Sequence, residues 1–320
     1  MPTLLLGFNP DALTAEQLDR VRATAVDYDV VCSRDRAEIE QLLPTLEIAA
    51  GGMPRDLMRE APQLRWFQQW GAGADWLLRE PDPKALRFQI TTASGVHAIP
   101  ISEHIIGVLL AIARRFPQAI RAQDRKEWVS RHRPHVFELA GKHLLMVGVG
   151  AIGARAAHIA HAMDIRVTGV RRRPEFPADG ISAMHGFADL PELLPTADLV
   201  VATLPLTPAT RHVFGETAFR AMKPEAVFVN IGRGGLVDEG ALVQALREGW
   251  IAAAALDVFE TEPLPSDSPL WLMEQVLLTA HYSGSTPHYT ERALSLFLDN
   301  LTRYQSGQPL RNLVDREQGY

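Results

Sequence analysis

The sequence predicts an α/β protein of two doubly wound parallel-sheet domains, the second inserted into the first. Three observations predict this. Short apolar runs alternate with helical patterns in two successive series, which argues for parallel sheets covered by helices. A glycine-rich turn joins strand to helix at the head of the second series. The last helical pattern has no strand series of its own, so it is expected to pack back on the first domain.

In the first series, 4–7, 45–50, 64–70 and 88–92 read as strands, and 14–25 and 37–43 as helices between them. A long apolar helical pattern then runs from Ile101 to Ala122, entered just after Pro100, where proline is tolerated in a first turn. The second series has six candidate strands, at 143–147, 166–170, 199–203, 226–231, 251–257 and 276–279. Six strands in this rhythm suit a doubly wound nucleotide-binding sheet. A helical pattern over 290–303 precedes the turn-like Ser306-Gly307-Gln308-Pro309. The expected division is 1–99 with 287–320 for one domain and 100–286 for the other, and 320 residues suffice for two.

Composition narrows the function classes. A hydrophobic fraction of 47% with 22% charged residues is ordinary for a globular protein, and the net charge of −6 gives no support to nucleic-acid binding. One basic stretch (Arg121, Arg125, Lys126, Arg131, Arg133) reads as a solvated or cleft-lining surface, with contact to an anionic ligand as the lesser alternative. The single cysteine, Cys32, excludes an intrachain disulfide and fits a reducing compartment. MPTLLLGFNP at the N-terminus reads as a first strand rather than a signal peptide, and no run approaches the roughly 20 apolar residues of a membrane helix. A cytoplasmic protein without a membrane partner is expected.

Gly148-Val149-Gly150-Ala151-Ile152-Gly153 follows the apolar run HLLMVG and opens a helical pattern from Ile152 to Ala162. Glycine at 148 permits a tight turn, at 150 lets a pyrophosphate approach the backbone, and at 153 allows close helix–strand packing. The helix N-terminus offers free N–H groups to the phosphates. Alone, such glycines also serve ordinary turns, but here the strand-before, helix-after context is met. An NAD site usually carries a carboxylate about 20 residues on, for the ribose 2′-hydroxyl. Here the strand runs into Arg171-Arg172-Arg173, and no carboxylate comes before Glu175. Guanidinium groups would hold a 2′-phosphate, so NADP(H) is favoured over NAD(H); a merely basic strand end is the alternative.

Three further segments follow candidate strands: VNIGRGGLVDEGAL from Val229, ALDVFETEPLP from Ala255 and LLTAHYSGSTPH from Leu277. Together with GVGAIG they make the chain resemble the D-isomer-specific 2-hydroxyacid dehydrogenase family, its glyoxylate/hydroxypyruvate reductases in particular. ISEHIIGVLLAIARR, TLPLTPATRH and NLTRYQSGQPLRNLVD extend the resemblance over nearly the whole chain. It implies a Rossmann cofactor domain inserted into a flavodoxin-like substrate domain, and a homodimer, for which the helix from Ile101 is one candidate interface.

The chemistry suits the residue types. One arginine can bind the carboxylate of a 2-oxo acid and polarise the adjacent ketone, because its fork is planar and permanently charged. Arg233, in a glycine-rich turn after a strand, is the candidate, though alone it would pass for a surface arginine. Adding hydride to a ketone calls for a general acid, and histidine is best suited to that near neutral pH. Among 11 histidines, His281 follows a strand and matches the family's Thr-Pro-His position. By the resemblance, Glu262 pairs with that histidine, Glu260 is the bland glutamate, and Asp257 meets the nicotinamide carboxamide. Leu204, Pro205 and Thr207, with Ile231 at a strand end, are expected to line the cofactor site. In the first domain, the turn 70–75 offers Ala72 and Gly73 as backbone donors to a substrate carboxylate, as nests do, and Ser94 and Gly95 resemble a second, pocket-lining turn. Two departures from the family stand beside His281: Ala280 replaces a proline, and Tyr282 follows where an aliphatic residue is common, so Tyr282 either shapes the pocket or packs. His158 and His161 lack a third ligand of suitable spacing, so no metal site is expected. The expected activity is NADP(H)-linked reduction of a small 2-oxo acid. Phosphite oxidation on the same residues and a dinucleotide-sensing corepressor are the alternatives.

Overall fold

The structure, a computed structural model, describes residues 1–129 and 136–316. It forms two compact units, Met1–Val96 with Thr286–Tyr320, and His97–Ser285. The basic residues Arg131 and Arg133 lie outside the described residues; Arg125 and Lys126 are exposed and Arg121 is half-buried.

The first unit begins β1 (Thr3–Gly7), α1 (Ala15–Thr24), β2 (Asp29–Cys32), α2 (Arg36–Leu42), β3 (Leu46–Gly51), α3 (Arg55–Glu60), β4 (Trp66–Gln69) and β5 (Gln89–Thr92). Local chemistry sets the helix starts: Thr14 caps α1 in a reciprocal pair with Gln17, and Asp35 accepts the Glu38 N–H of α2. The five strands are parallel in the order β2-β1-β3-β4-β5, the flavodoxin-like arrangement. Two elements go beyond the sequence expectation. β2 is a part-exposed edge strand, and α3 is a six-residue helix entered after Pro54.

The second unit continues with α4 (Ala98–Ala113), α5 (Phe116–Asp124), β6 (His143–Val147), α6 (Ala151–Ala162), β7 (Arg166–Val170), β8 (Ala183–His185), α7 (Leu190–Leu193), β9 (Leu199–Ala202), α8 (Glu216–Ala221), β10 (Val227–Asn230), α9 (Glu239–Glu248), β11 (Ala253–Leu256) and β12 (Val276–Leu278). Its seven parallel strands run β8-β7-β6-β9-β10-β11-β12, which is 3-2-1-4-5-6-7 counted from β6. That is the Rossmann order with a seventh strand, and its direction reverses between β6 and β9. The sequence predicts six strands; the three-residue β8 joins them at the edge beside β7.

The expected single helix over 101–122 is two helices. Arg115 takes a left-handed backbone (φ 61°), and Pro117 in the first turn of α5 has no N–H for a continuing helix.

The central strands β6, β9, β10 and β11 are buried on both faces, so their sequences read as largely apolar runs. Alternation of side chains then assigns the faces. Leu145, Val147, Val200, Ala202, Phe228 and Leu256 enter one core, with α8 and α9. Leu144, Met146, Leu199, Val201, Val227 and Val229 enter the other, with α4 and α6. The last helix, α10 (Tyr289–Gln305), returns to the first unit, where Leu294, Phe297 and Leu301 pack on Leu4, Leu6, Ile48 and Trp66. Among the described residues, no helix is long and apolar enough to cross a membrane.

Candidate active site

The glycine turn sits where the strand order reverses. Gly148 adopts φ 107°, a region closed to most residues, and a side chain there would strike the Thr203 backbone carbonyl carbon at 2.8 Å. A Cβ on Gly153 would lie 2.3 Å from the Gly148 carbonyl, so α6 packs directly on the turn. Gly150 is different: among the described residues, nothing beyond its own chain neighbours and helix backbone lies within 4 Å of where its Cβ would be. It is the N-cap of the 12-residue α6, and no side chain caps that helix. The open, uncapped N-terminus beginning at Ala151 and Ile152 therefore has room and N–H donors for a pyrophosphate, and the residues fit a dinucleotide. Thr203, which sequence reasoning passed over, donates its hydroxyl to the Gly148 carbonyl and ties the first and fourth strands together.

Leu204, Pro205 and Thr207 follow β9 on a turn closed by a second unpredicted residue. The buried Thr210 donates to the Pro205 carbonyl at 2.7 Å and accepts the Thr207 N–H at 2.8 Å. Ile231 is buried at the end of β10. At the end of β7, Arg171 is half-buried, with Nη1 at 3.3 Å from the Phe176 carbonyl, and the Arg173 guanidinium lies over the Phe176 ring at 5.3 Å. Arg172 is exposed between them.

Arg233, Glu262 and His281 are on turns that follow β10, β11 and β12, three adjacent strands. Each link between the turns is visible. Arg233 Nη1 donates to the Gly232 carbonyl (2.8 Å), while Asn230 Nδ2 donates to the Arg233 carbonyl (3.0 Å). The next residue, Gly234, lies so close to the following turn that a Cβ would fall 1.8 Å from Phe259. Phe259 N–H donates to Glu262 Oε1 (2.9 Å), and Glu262 Oε2 accepts His281 Nδ1–H (2.7 Å). Because a carboxylate only accepts, Nδ1 carries the proton of that bond, and Nε2 is the nitrogen left for a substrate. His281 is about half exposed and holds a left-handed backbone at φ 52°.

Glu260 turns away from His281. Its side chain pairs with His212, and its N–H donates to Glu239 Oε1 at 2.6 Å. Burial, with the charges of Glu260 and Glu262, pushes the Glu239 carboxyl up against the Glu260 N–H that favours its ionised form. His212 and Glu260 are 48 residues apart, and nothing local in the sequence announces them. Asp257, 1% exposed, turns Oδ1 to Thr279, Tyr282 and Ser283, and Oδ2 to the Ser283 N–H at 3.1 Å. Oδ2 retains lone-pair capacity for a further donor. Tyr282, 54% exposed, meets His104 edge-on at 6.2 Å.

In the first unit, Ala72 and Gly73 follow β4, and Ser94 and Gly95 follow the adjacent β5. The two turns are joined by the Ala93 N–H on the Gly71 carbonyl (3.0 Å), and Asn312 Nδ2 donates to the Ser94 carbonyl (2.8 Å). His158 pairs with Asp179 at 2.6 Å, and among the described residues no group of His, Cys, Asp or Glu could hold a metal ion.

Comparison with known proteins joins this geometry to a family. Residues 106–283 match the model of the D-isomer specific 2-hydroxyacid dehydrogenase, NAD binding domain. A glyoxylate reductase from Aeropyrum pernix is 37% identical over 268 residues, 82% of this chain and 79% of the relative. A D-isomer specific 2-hydroxyacid dehydrogenase from Xanthobacter autotrophicus Py2, solved with NADPH and MES, superposes with a TM-score of 0.84 at 30% identity, covering 100% of this chain and 99% of that one. An NADPH-dependent glyoxylate/hydroxypyruvate reductase from Sinorhizobium meliloti, solved with NADP and sulfate, gives 0.83 at 28% identity over the same shares. The chain belongs to the D-isomer-specific 2-hydroxyacid dehydrogenase family and is an NAD(P)-dependent enzyme of that class.

Proposed function

We propose that the enzyme reduces a small 2-oxo acid, such as glyoxylate or hydroxypyruvate, to the 2-hydroxy acid, with NADP(H) preferred and NAD(H) as the second cofactor. The observation that carries this reading is the His281–Glu262 pair, linked through Phe259 and Gly234 to Arg233. The glyoxylate reductase names and NADP complexes of its relatives support it. In this reading 100–286 is the cofactor domain and 1–99 with 287–320 the substrate domain, to which Ala72, Gly73, Ser94 and Gly95 belong.

When bound, the nicotinamide nucleotide supplies the hydride. Gly148, Gly150 and Gly153 give its pyrophosphate room, and the α6 N–H groups from Ala151 and Ile152 bind it. Arg171, Arg172 and Arg173 meet the 2′-phosphate, since no carboxylate stands at that strand end to repel it. Leu204, Pro205, Thr207 and Ile231 would line the nucleotide, and Asp257 would meet the carboxamide of its nicotinamide. Arg233 binds the substrate carboxylate and draws charge from the carbonyl. His281 gives its Nε2 proton to the carbonyl oxygen, and Glu262, accepting from Nδ1, fixes the ring plane. Tyr282 borders the substrate. The enzyme is taken as cytoplasmic and as a homodimer, and sedimentation of the purified protein tests the dimer.

Steady-state rates with NADPH and NADH against 2-oxo acids of increasing size, and with phosphite in the oxidative direction, test the activity. His281→Ala should lower kcat by about 10²–10⁴-fold, the usual contribution of a positioned acid, and leave NADPH affinity unchanged. Wild-type turnover in that variant would end the assignment.

A further inference from the structure

Proton bookkeeping around Asp257 identifies two residues that the mechanism above does not use. Thr279 Oγ1 has one proton and spends it on Asp257 Oδ1, at 2.6 Å, because the carboxylate is an acceptor only. His104 Nε2, reaching in from α4, lies 3.3 Å from the same hydroxyl oxygen. With the hydroxyl proton already committed, that contact is a hydrogen bond only if Nε2–H is the donor. The direction of the chain is therefore His104 to Thr279 to Asp257. Burial pushes the His104 imidazole down while the Asp257 charge opposes it, which favours the neutral ring with one N–H. The Tyr282 ring stands edge-on to His104 with an interplanar angle of 89°.

Asp257 passes this on to the turn that carries His281. Its backbone carbonyl accepts the His281 N–H at 2.9 Å, and its carboxylate accepts the Tyr282 and Ser283 N–H groups. Donors at 279, 281, 282 and 283 thus converge on one residue. His281 sits among them in a left-handed conformation that a side-chain-bearing residue keeps only when its surroundings hold it. Glu262 fixes the imidazole from one side; the turn must fix its Cα from the other.

We propose that His104 and Thr279 are positioning residues, which orient the Asp257 carboxylate so that the 279–283 turn holds His281 in line for proton delivery. This rests on the reading of His281 as the general acid. Thr279 N–H also donates to the Leu256 carbonyl at 2.9 Å, so losing the hydroxyl leaves the strand in place and loosens only the turn beyond it.

The test uses the full chain and four variants. Thr279→Val keeps the shape and removes the hydroxyl; Thr279→Ser restores it; His104→Phe keeps a ring against Tyr282 and removes the N–H; His281→Ala controls for the reading itself. Thr279→Val should lower kcat by about 10–100-fold with the substrate KM within about threefold, as a displaced catalytic group does. Thr279→Ser should recover to within about threefold, and His104→Phe should lose about tenfold, the scale of one hydrogen bond. Amide hydrogen exchange at Tyr282 and Ser283, with no substrate present, should quicken about tenfold in Thr279→Val and return to wild type in Thr279→Ser. Wild-type turnover in Thr279→Val or in His104→Phe, or a Thr279→Ser enzyme as slow as Thr279→Val, overturns the proposal. If His281→Ala keeps its turnover, the general-acid reading falls. The hold on the turn is then decided by exchange alone, with unchanged Tyr282 and Ser283 protection overturning it.

Discussion

Replacing Gly234 by alanine drives a methyl group into a neighbouring backbone. The new Cβ would lie 1.8 Å from both the carbonyl carbon and oxygen of Phe259 and 2.4 Å from the Glu260 nitrogen, where ordinary contact begins at 3.4 Å. The two turns must part by something near the missing 1.6 Å, and both partners are backbone, so no side-chain rotation relieves the clash. Overpacking of this kind costs about 1–3 kcal/mol, which lowers Tm by about 2–12 °C for a unit of this size. The catalytic effect should be larger. Phe259 N–H holds Glu262 Oε1, whose other oxygen holds His281, so moving Phe259 away from Gly234 separates the pair from Arg233. A misplacement of about 1 Å in a catalytic constellation costs about 10²-fold in kcat. The adjacent Gly235→Ala is the control, because its Cβ would meet side-chain ends, Leu206 at 3.0 Å and Arg211 Nη1 at 3.6 Å, which can rotate. Thermal melts, NADPH titrations and steady-state kinetics on both variants check the expectation: Gly234→Ala folded, binding cofactor and about a hundredfold slower, Gly235→Ala near wild type. A Gly234→Ala enzyme within twofold of wild-type kcat would refute the chain of contacts from Arg233 to His281.

Two further expectations concern other parts of the second unit. Replacing Arg171 and Arg172 together by Ser should raise the KM for NADPH by about 10–100-fold, since a charge-assisted phosphate contact is worth about 1.5–3 kcal/mol, and leave the KM for NADH within about twofold; a loss shared equally by both cofactors would remove the arginines from 2′-phosphate recognition. His143 is buried at the start of β6, with Nδ1–H donating to the Thr196 carbonyl (2.9 Å) and Nε2 at 2.8 Å from the Thr168 hydroxyl. Burial pushes its imidazole down, with Arg166 and Lys223 adding to this and the Thr196 carbonyl and Asp198 opposing it, so the unfolded chain takes up the proton first. Its contribution is complete above the ordinary histidine value of about 6.5 and is lost as pH falls through it, at a limiting slope of about 1.4 kcal/mol per pH unit. Urea unfolding between pH 8 and 5 should show this slope in the wild type and a shallower one in His143→Gln; parallel slopes would refute it.

The sequence by itself determined the strand rhythm and the residue types at the strand ends. A strand buried along its whole length needs an apolar run, so β6 is legible to the residue, and β7 is legible from the apolar positions that alternate behind its exposed Arg166. The glycine turn is equally local, because a positive φ at 148 and a backbone contact at 153 each demand the absence of a side chain. Elements held mainly by neighbours were not legible: β2 is a part-exposed edge, β8 has three residues, and neither needs an apolar run. The 101–122 pattern misled because apolar periodicity continues through Pro117, while the backbone does not. Only the tertiary structure decided which polar groups meet. His104 reaches Thr279 across 175 residues, and His212 reaches Glu260 across 48. Hydrogen bonds of that span depend on strand order and helix placement, which no local window contains. Arg233, Glu262 and His281 could be picked out as candidates from their positions after successive strands, but the contacts from Gly234 through Phe259 to His281 exist only once β10, β11 and β12 lie side by side.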